Sequence, residues 1–294
     1  MADSRAPLSG IWAATLTPVD TRFAPDTPRA LEYYRELLDG GCDGLNVLGT
    51  TGEAMSFGVE RRIAFMESLA RSLPASRMMA GTGAASLEDT IRLTRAALDA
   101  GFRAALVLPP FFFRDASVDG VVRFYVELAN ATPKLAGRLL LYNFPKMSGF
   151  AFTPAVVRRM SQELPDVITG VKDSSNDRDL QRALATEFPR LSVFAGSEGY
   201  LPEAKAAGAS GCISGTVALW PQFAQRAFRG DAEAANRIAL SRDAFSDLSL
   251  IPAVRYAVAQ LRGDDTWLRP VPPLEPMSRE QRETLEIRLT ALER

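Results

Sequence analysis

The sequence predicts an α/β fold, a (β/α)8 barrel of the TIM type with a helical C-terminal extension, and three observations carry that expectation. Eight short apolar or β-branched runs recur within about 220 residues, and a longer helical stretch follows each. Most of these runs are continuously apolar, as parallel strands covered on both faces must be. After residue 220 the strand signals stop while helical patterns continue. The expected organisation is a barrel over residues 1–222 and an extension over residues 223–294. A doubly wound open sheet is the alternative. It normally carries a glycine-rich dinucleotide turn after its first strand, and "TLTPVDTRF" has none.

The candidate strands, in order, are "IWAATLTP" (11–18), "GLNVLGT" (44–50), "RMMAGTG" (77–83) and "RAALVLPP" (103–110). They continue as "RLLLYNFP" (138–145), "VITGVKD" (167–173), "LSVFAGS" (191–197) and "GCISGTV" (211–217). Between them, "TPRALEYYRELLDGG" (27–41) reads as a helix with Thr27 as N-cap, Pro28 at the first helical position and glycines beyond its end. "SLEDTIRLTRAALDAG" (86–101) repeats the logic, with Ser86 as cap and Gly101 as stop. Thr153, followed by Pro154, opens a third. Beyond the last strand, "QFAQRAFRGDAEAANRIALSRDAFSDL" and "AVRYAVAQLRG" read as helices.

Composition narrows the chemistry. At 294 residues the chain can bury a large core, and 47% hydrophobic with 23% charged residues is ordinary for a globular protein. A net charge of −1, with no basic block, gives no reason to expect nucleic acid or an anionic membrane surface as partner. No apolar run approaches the roughly 20 residues that span a bilayer. "MADSRAPLSG" lacks the apolar stretch of a secretory signal, so a cytoplasmic location is expected. Cys42 and Cys212 lie in apolar segments and are expected to be packed, reduced thiols. The most restrictive number is the histidine count, which is 0. Ser-His-Asp and Cys-His catalysis and all His-containing metal sites are thereby excluded. Protons must be moved by Tyr, Lys, carboxylates, water or the substrate.

In a barrel, functional residues gather at the C-terminal ends of strands and in the loops just beyond. That rule selects Thr50 and Thr51 after the second strand, the "PPFFFRD" turn after the fourth, and Tyr142 and Asn143 ending the fifth. It also selects Lys172 and Asp173 ending the sixth, and Gly196, Ser197 and Glu198 after the seventh. Of the 34 basic residues four are lysines, and Lys172 alone falls on a candidate strand. A free lysine amine, with a pKa of about 10.4, is mostly protonated at neutral pH. Burial in a barrel mouth would favour the neutral amine, which can attack a carbonyl to form a Schiff base. The plainer alternative is a lysine paired with Asp173 or a neighbouring carboxylate for structural reasons. Tyr142 would sit one strand away as the available proton carrier, and Thr51 could give that phenol a hydrogen bond. Against this, a strand-end tyrosine can simply cap the core. Three adjacent rings in "PPFFFRD" cannot all enter one core, so at least one is expected at the surface or against a second subunit.

"GTTGE" (49–53), "YNFP" (142–145) and "GVKDSS" (170–175), in this order, resemble the pyruvate-dependent class I aldolase family. It includes dihydrodipicolinate synthase, N-acetylneuraminate lyase and 2-keto-3-deoxy-sugar-acid aldolases and dehydratases. The resemblance runs from "GIWAATLTPVD" to the helical tail. It implies that Lys172 forms an imine with pyruvate and that Tyr142 shuttles protons. Thr50 and Thr51 would bind the pyruvate carboxylate and orient the tyrosine, and Ile213 would lie where backbone groups contact the pyruvyl unit. It further implies an enzyme without cofactor or metal, acting on a keto acid and an aldehyde as a homodimer or homotetramer.

Two departures bear on the second substrate. Synthases carry a tyrosine pair after the fourth strand, where this chain has Phe111 and Phe112. They also place an arginine two residues after the proline of "YNFP", where this chain has Met147. The expected reaction is therefore reversible aldol cleavage of a 2-keto-3-deoxy sugar acid. Ser197, Glu198 and Ser214, with Gly196 in the same turn, are nominated as polyol contacts, and Phe112 and Met147 as the residues on the aldehyde side. The alternatives are the synthase reaction, a sugar-acid dehydratase, or a barrel that binds a keto acid without catalysis.

Overall fold

Strands that are apolar on both faces need cover on both, and the chain provides it by closing its sheet. A computed structural model describes residues 7–292. Its eight parallel strands form a closed barrel in sequence order, the first pairing with the eighth. They are β1 (Gly10–Ala14), β2 (Gly44–Val47), β3 (Met78–Gly81), β4 (Ala104–Val107), β5 (Leu139–Asn143), β6 (Ile168–Asp173), β7 (Ser192–Ala195) and β8 (Gly211–Ser214). Each lies within or one residue ahead of its expected run. The trimmed C-terminal residues, such as Leu16 and Thr17, lie in the loops beyond the strand ends.

The helices around the barrel are α1 (Thr27–Asp39), α2 (Val59–Ala70), α3 (Leu87–Asp99), α4 (Val118–Ala131), α5 (Pro145–Ser148), α6 (Pro154–Glu163), α7 (Arg178–Glu187) and α8 (Leu201–Ala206). After β8 come α9 (Pro221–Arg229), α10 (Ala232–Asp243), α11 (Leu250–Arg262) and α12 (Arg279–Leu292). Ser86 and Thr153 cap α3 and α6 as expected. For α1 the cap is Asp26, whose carboxylate accepts from the Arg29 amide, and Thr27 is already helical. Asp and Thr are both good caps, so the sequence leaves this boundary open by one residue.

Alternation along the strands builds two cores. Trp12, Ala14, Met79, Leu106, Leu140, Tyr142, Phe194 and Ile213 face inward and fill the lumen. Val47, Ala80, Val107, Leu141, Val171, Val193 and Cys212 face outward against the helices. The lumen is thus a packed core rather than a pore, and polar chemistry is confined to its upper rim. Both cysteines are free and buried. Burial pushes the Cys42 thiol up to about 12, which keeps it an inert packing group. Among the described residues no helix is long and apolar enough to cross a membrane.

Candidate active site

Strand alternation by itself would not deliver Lys172 to the lumen. Ile168 opens β6 facing outward, opposite Leu139, so strict alternation would also turn Lys172 outward. The β5–β6 register shifts between Leu139 and Leu140, which pair with Ile168 and Gly170. Thr169 is the extra residue. The shift returns Gly170 and Lys172 to the inward face, where Lys172 pairs with Tyr142 on one side and Phe194 on the other.

The result is a buried amine above an apolar floor. Lys172 is 4% exposed and Tyr142 5%. The Lys172 Nζ stands 4.5 Å from the centroid of the Tyr142 ring. The expected alternative, a lysine paired with Asp173, is not what forms. Asp173 lies on the opposite face, where its carboxylate accepts from Asn143 Nδ2 at 2.6 Å and from Ser175 Oγ at 3.0 Å. Burial raises the Asp173 pKa, and the Asn143 and Ser175 hydrogen bonds oppose that shift. Asn143 in turn accepts from the Phe152 amide at 2.9 Å. The two residues beside the Tyr142–Lys172 pair are therefore cross-linked behind it.

The loop after β2 reaches over the rim to the phenol. The hydroxyls of Thr50 and Tyr142 are 3.3 Å apart, so Thr50 rather than Thr51 contacts the tyrosine. Thr51 is turned toward the loop after β8, where a Cβ on Gly215 would stand 3.0 Å from its Oγ1. The reason lies in the backbone. Leu48 and Glu53 bracket the loop with left-handed φ values of 53° each, a conformation costing about 1–3 kcal/mol per non-glycine residue. Within this bracketed loop it is Thr50 whose hydroxyl meets the phenol.

The remaining nominated residues divide. Ile213 is fully buried in the lumen cluster beside Trp12. The Gly196 amide donates to the Asp173 carbonyl at 2.7 Å, and a side chain there would strike Ser174. Ser197 is buried and accepts from the Gly199 amide at 3.2 Å, its hydroxyl serving the turn. Ser214 and Glu198 do not stand as open polyol contacts. Ser214 pairs with Ala13 on the outward face of the sheet. Its hydroxyl lies 3.4 Å from that of Thr216, which donates to the fully buried carboxylate of Glu198. Alternation sends Ser214, at the end of β8, to the outer layer, and Glu198 lies in the helical turn after β7 with its side chain buried. At the rim, Phe112 is 74% and Phe113 68% exposed, and Met147 is half exposed. Phe111 instead packs onto the lumen cluster, as does Phe144, whose ring lies 5.7 Å from that of Tyr142. Sequence reasoning passed over Phe144, although its place within "YNFP" was a signal. No group of three or more metal-ligating side chains occurs among the described residues.

The rim thus brings together a buried amine, a phenol and a threonine hydroxyl, groups able to take part in carbonyl chemistry. Comparisons with known proteins give the family. The sequence profile described as the dihydrodipicolinate synthetase family matches residues 7–292. An uncharacterised DapA-like lyase of Chloroflexus aurantiacus is 34% identical, covering 92% of this chain and 93% of its own. A dihydrodipicolinate synthase from Agrobacterium tumefaciens superposes with a TM-score of 0.91 at 31% identity, covering 98% and 100% of the two chains. A variant of the Sulfolobus solfataricus 2-keto-3-deoxygluconate aldolase shares the fold, with a TM-score of 0.85 at 20% identity over 97% and 96%. The chain therefore belongs to the dihydrodipicolinate synthetase family, whose members are pyruvate-dependent aldolases and lyases.

Proposed function

We propose that the protein is a cytoplasmic Schiff-base lyase that cleaves 2-keto-3-deoxy sugar acids reversibly to pyruvate and an aldehyde. The observation that carries this reading is the Lys172 amine, buried in the lumen mouth 4.5 Å from the centre of the Tyr142 ring. Its neighbour Asp173 spends its carboxylate on Asn143 and Ser175.

In the cleavage direction the unprotonated amine attacks the C2 carbonyl carbon of the sugar acid, giving a carbinolamine. Tyr142 supplies the proton with which the C2 oxygen leaves as water, and the protonated imine remains. As a base removes the C4 hydroxyl proton, the C3–C4 bond breaks and its electrons flow into the imine. The aldehyde departs and an enamine stays on Lys172. Protonation at C3 and hydrolysis then release pyruvate and the amine. Thr50 holds the phenol at 3.3 Å, and the Thr50–Thr51 loop offers hydroxyls and amides to the keto-acid carboxylate. The exposed Phe112 and Phe113 rings are read as the seat of a second copy of this chain, giving a homodimer or homotetramer.

Pyruvate plus sodium borohydride should leave a reduced adduct on Lys172, detected by peptide mass spectrometry. An unmodified Lys172 would sink the mechanism. A second reading, condensation of pyruvate with aspartate semialdehyde, is favoured by the likeness to the Agrobacterium synthase. Phe111, Phe112 and Met147 stand against it, because they supply neither phenol nor guanidinium at the positions where synthases carry them. Robust turnover of aspartate semialdehyde, with none of sugar acids, would select it.

A further inference from the structure

The Thr50–Thr51 loop is held in place by a residue far away in the sequence. Glu53 closes the loop two residues after Thr51, and its side chain is 1% exposed. Arg255, on α11 of the helical extension, is buried to the same degree and donates through Nε to Glu53 Oε1 at 2.7 Å, with Nη2 on the same oxygen. The other carboxylate oxygen accepts from the Val271 amide at 2.7 Å. Arg255 Nη2 also donates to the Thr17 carbonyl at 2.7 Å, and Nη1 to that of Trp267 at 3.4 Å. Thr17 itself donates through its hydroxyl to the Gly52 carbonyl at 2.8 Å. One guanidinium thus ties the loop after β1, the loop after β2 and the segment after α11.

A buried ion pair is weak evidence for stability, because desolvation offsets much of the attraction. What this pair accomplishes is geometric. The loop between Leu48 and Glu53 carries two left-handed non-glycine residues, and such backbone persists only where its surroundings over-determine it. Glu53 is one of these two, and its side chain is held by Arg255 on one oxygen and the Val271 amide on the other. The far end of the strained segment is anchored by α11, and the near end presents Thr50 to the phenol.

We propose that Arg255 is a positioning residue that acts through Glu53, fixing the Thr50–Thr51 loop and so setting the affinity of the site for the keto-acid carboxylate. The proposal rests on the imine-forming reading of Lys172. It assigns the helical extension a part in substrate binding although no residue of that extension lies in the lumen cluster.

The test measures borohydride trapping across a range of pyruvate concentrations, with thermal melting alongside. Glu53→Gln is the mildest variant, Arg255→Lys keeps the charge without the fork, and Arg255→Met paired with Glu53→Gln removes both charges. The double variant should raise the pyruvate concentration for half-maximal trapping about tenfold or more, while trapping at saturation falls less than about threefold. Arg255→Lys should recover part of the loss. Leu285→Ala, on α12, serves as a purely destabilising control that lowers Tm without moving the pyruvate dependence. Unchanged half-saturation in Glu53→Gln and the other folded variants would overturn the proposal, as would an equal shift in Leu285→Ala. If the unsubstituted protein forms no adduct, the imine reading fails. If it does and the variants saturate as it does, only the positioning role fails.

Discussion

The Thr50–Tyr142 contact gives a prediction in which magnitudes decide. Thr50→Val removes one hydroxyl from a half-buried position and leaves the shape of the side chain nearly intact. The bond it loses is long, 3.3 Å between oxygens, and joins two neutral groups. Such a bond contributes about 0.5–1.5 kcal/mol net. If all of that were expressed in the transition state, the rate would fall about 2- to 13-fold. Tyr142→Phe removes the proton carrier itself, a loss of about 10²- to 10⁴-fold. With no histidine in the chain, no imidazole can take the phenol's place. The assay is pyruvate release from the sugar acid at saturation, with the rate of borohydride trapping as an independent reading of imine formation. The two variants should be separated by at least a factor of about eight. Equal losses would show that Thr50 does more than orient the phenol. A slow Thr51→Val beside an unaffected Thr50→Val would show that the threonine facing Tyr142 has been misassigned.

Two further outcomes follow from the same geometry. Because burial raises the Asp173 pKa, the folded protein holds that proton more tightly than the unfolded chain does. The contribution is full below the unfolded value and is lost as pH rises through the raised folded value. Asp173→Asn should therefore gain Tm relative to the unsubstituted protein as pH rises from about 4 to 7; a difference that does not change with pH would contradict the shift. Phe112→Ser combined with Phe113→Ser should lower the mass found by sedimentation while leaving Tm nearly unchanged, since both rings are largely exposed within one chain. An unchanged mass would remove that face from the assembly.

Much of this architecture was legible because parallel barrels repeat one unit. Apolar runs without alternation marked the strands, and capping residues such as Ser86 and Thr153 marked the helices. Lys172 and Tyr142 stood out because charge and phenol at strand ends are unusual in a chain with four lysines and no histidine. Other features depend on distances that the sequence does not contain. Arg255 and Glu53 are 202 residues apart, and nothing local marks either as a partner of the other. The choice between Thr50 and Thr51 turns on left-handed backbone at Leu48 and Glu53, residue types that do not advertise that conformation. Ser214 looked available because strand ends carry function, but the face on which a strand-end residue lies is set by register, and Glu198 is buried in the turn beyond β7.

Register also governs the direction of Lys172. Lys172 was expected in the barrel mouth, yet four residues of unbroken alternation from outward-facing Ile168 would have placed it among the helices. The one-residue shift at Thr169 reverses that, and Gly170 makes the shift possible. A Cβ on Gly170 would collide with the Ser192 carbonyl of β7, so the inward turn is open only to glycine. Phe194, Ile213 and Trp12 fill the lumen below, leaving the amine no downward path. The "TG" within "VITGVKD" is thus the local signal for the bulge, a glycine inside a strand where pairing slips by one. It converts a lysine that the strand period would expose to the outer helices into one whose amine stands 4.5 Å from the centroid of the Tyr142 ring. The direction of Lys172 is in this way encoded two residues before it.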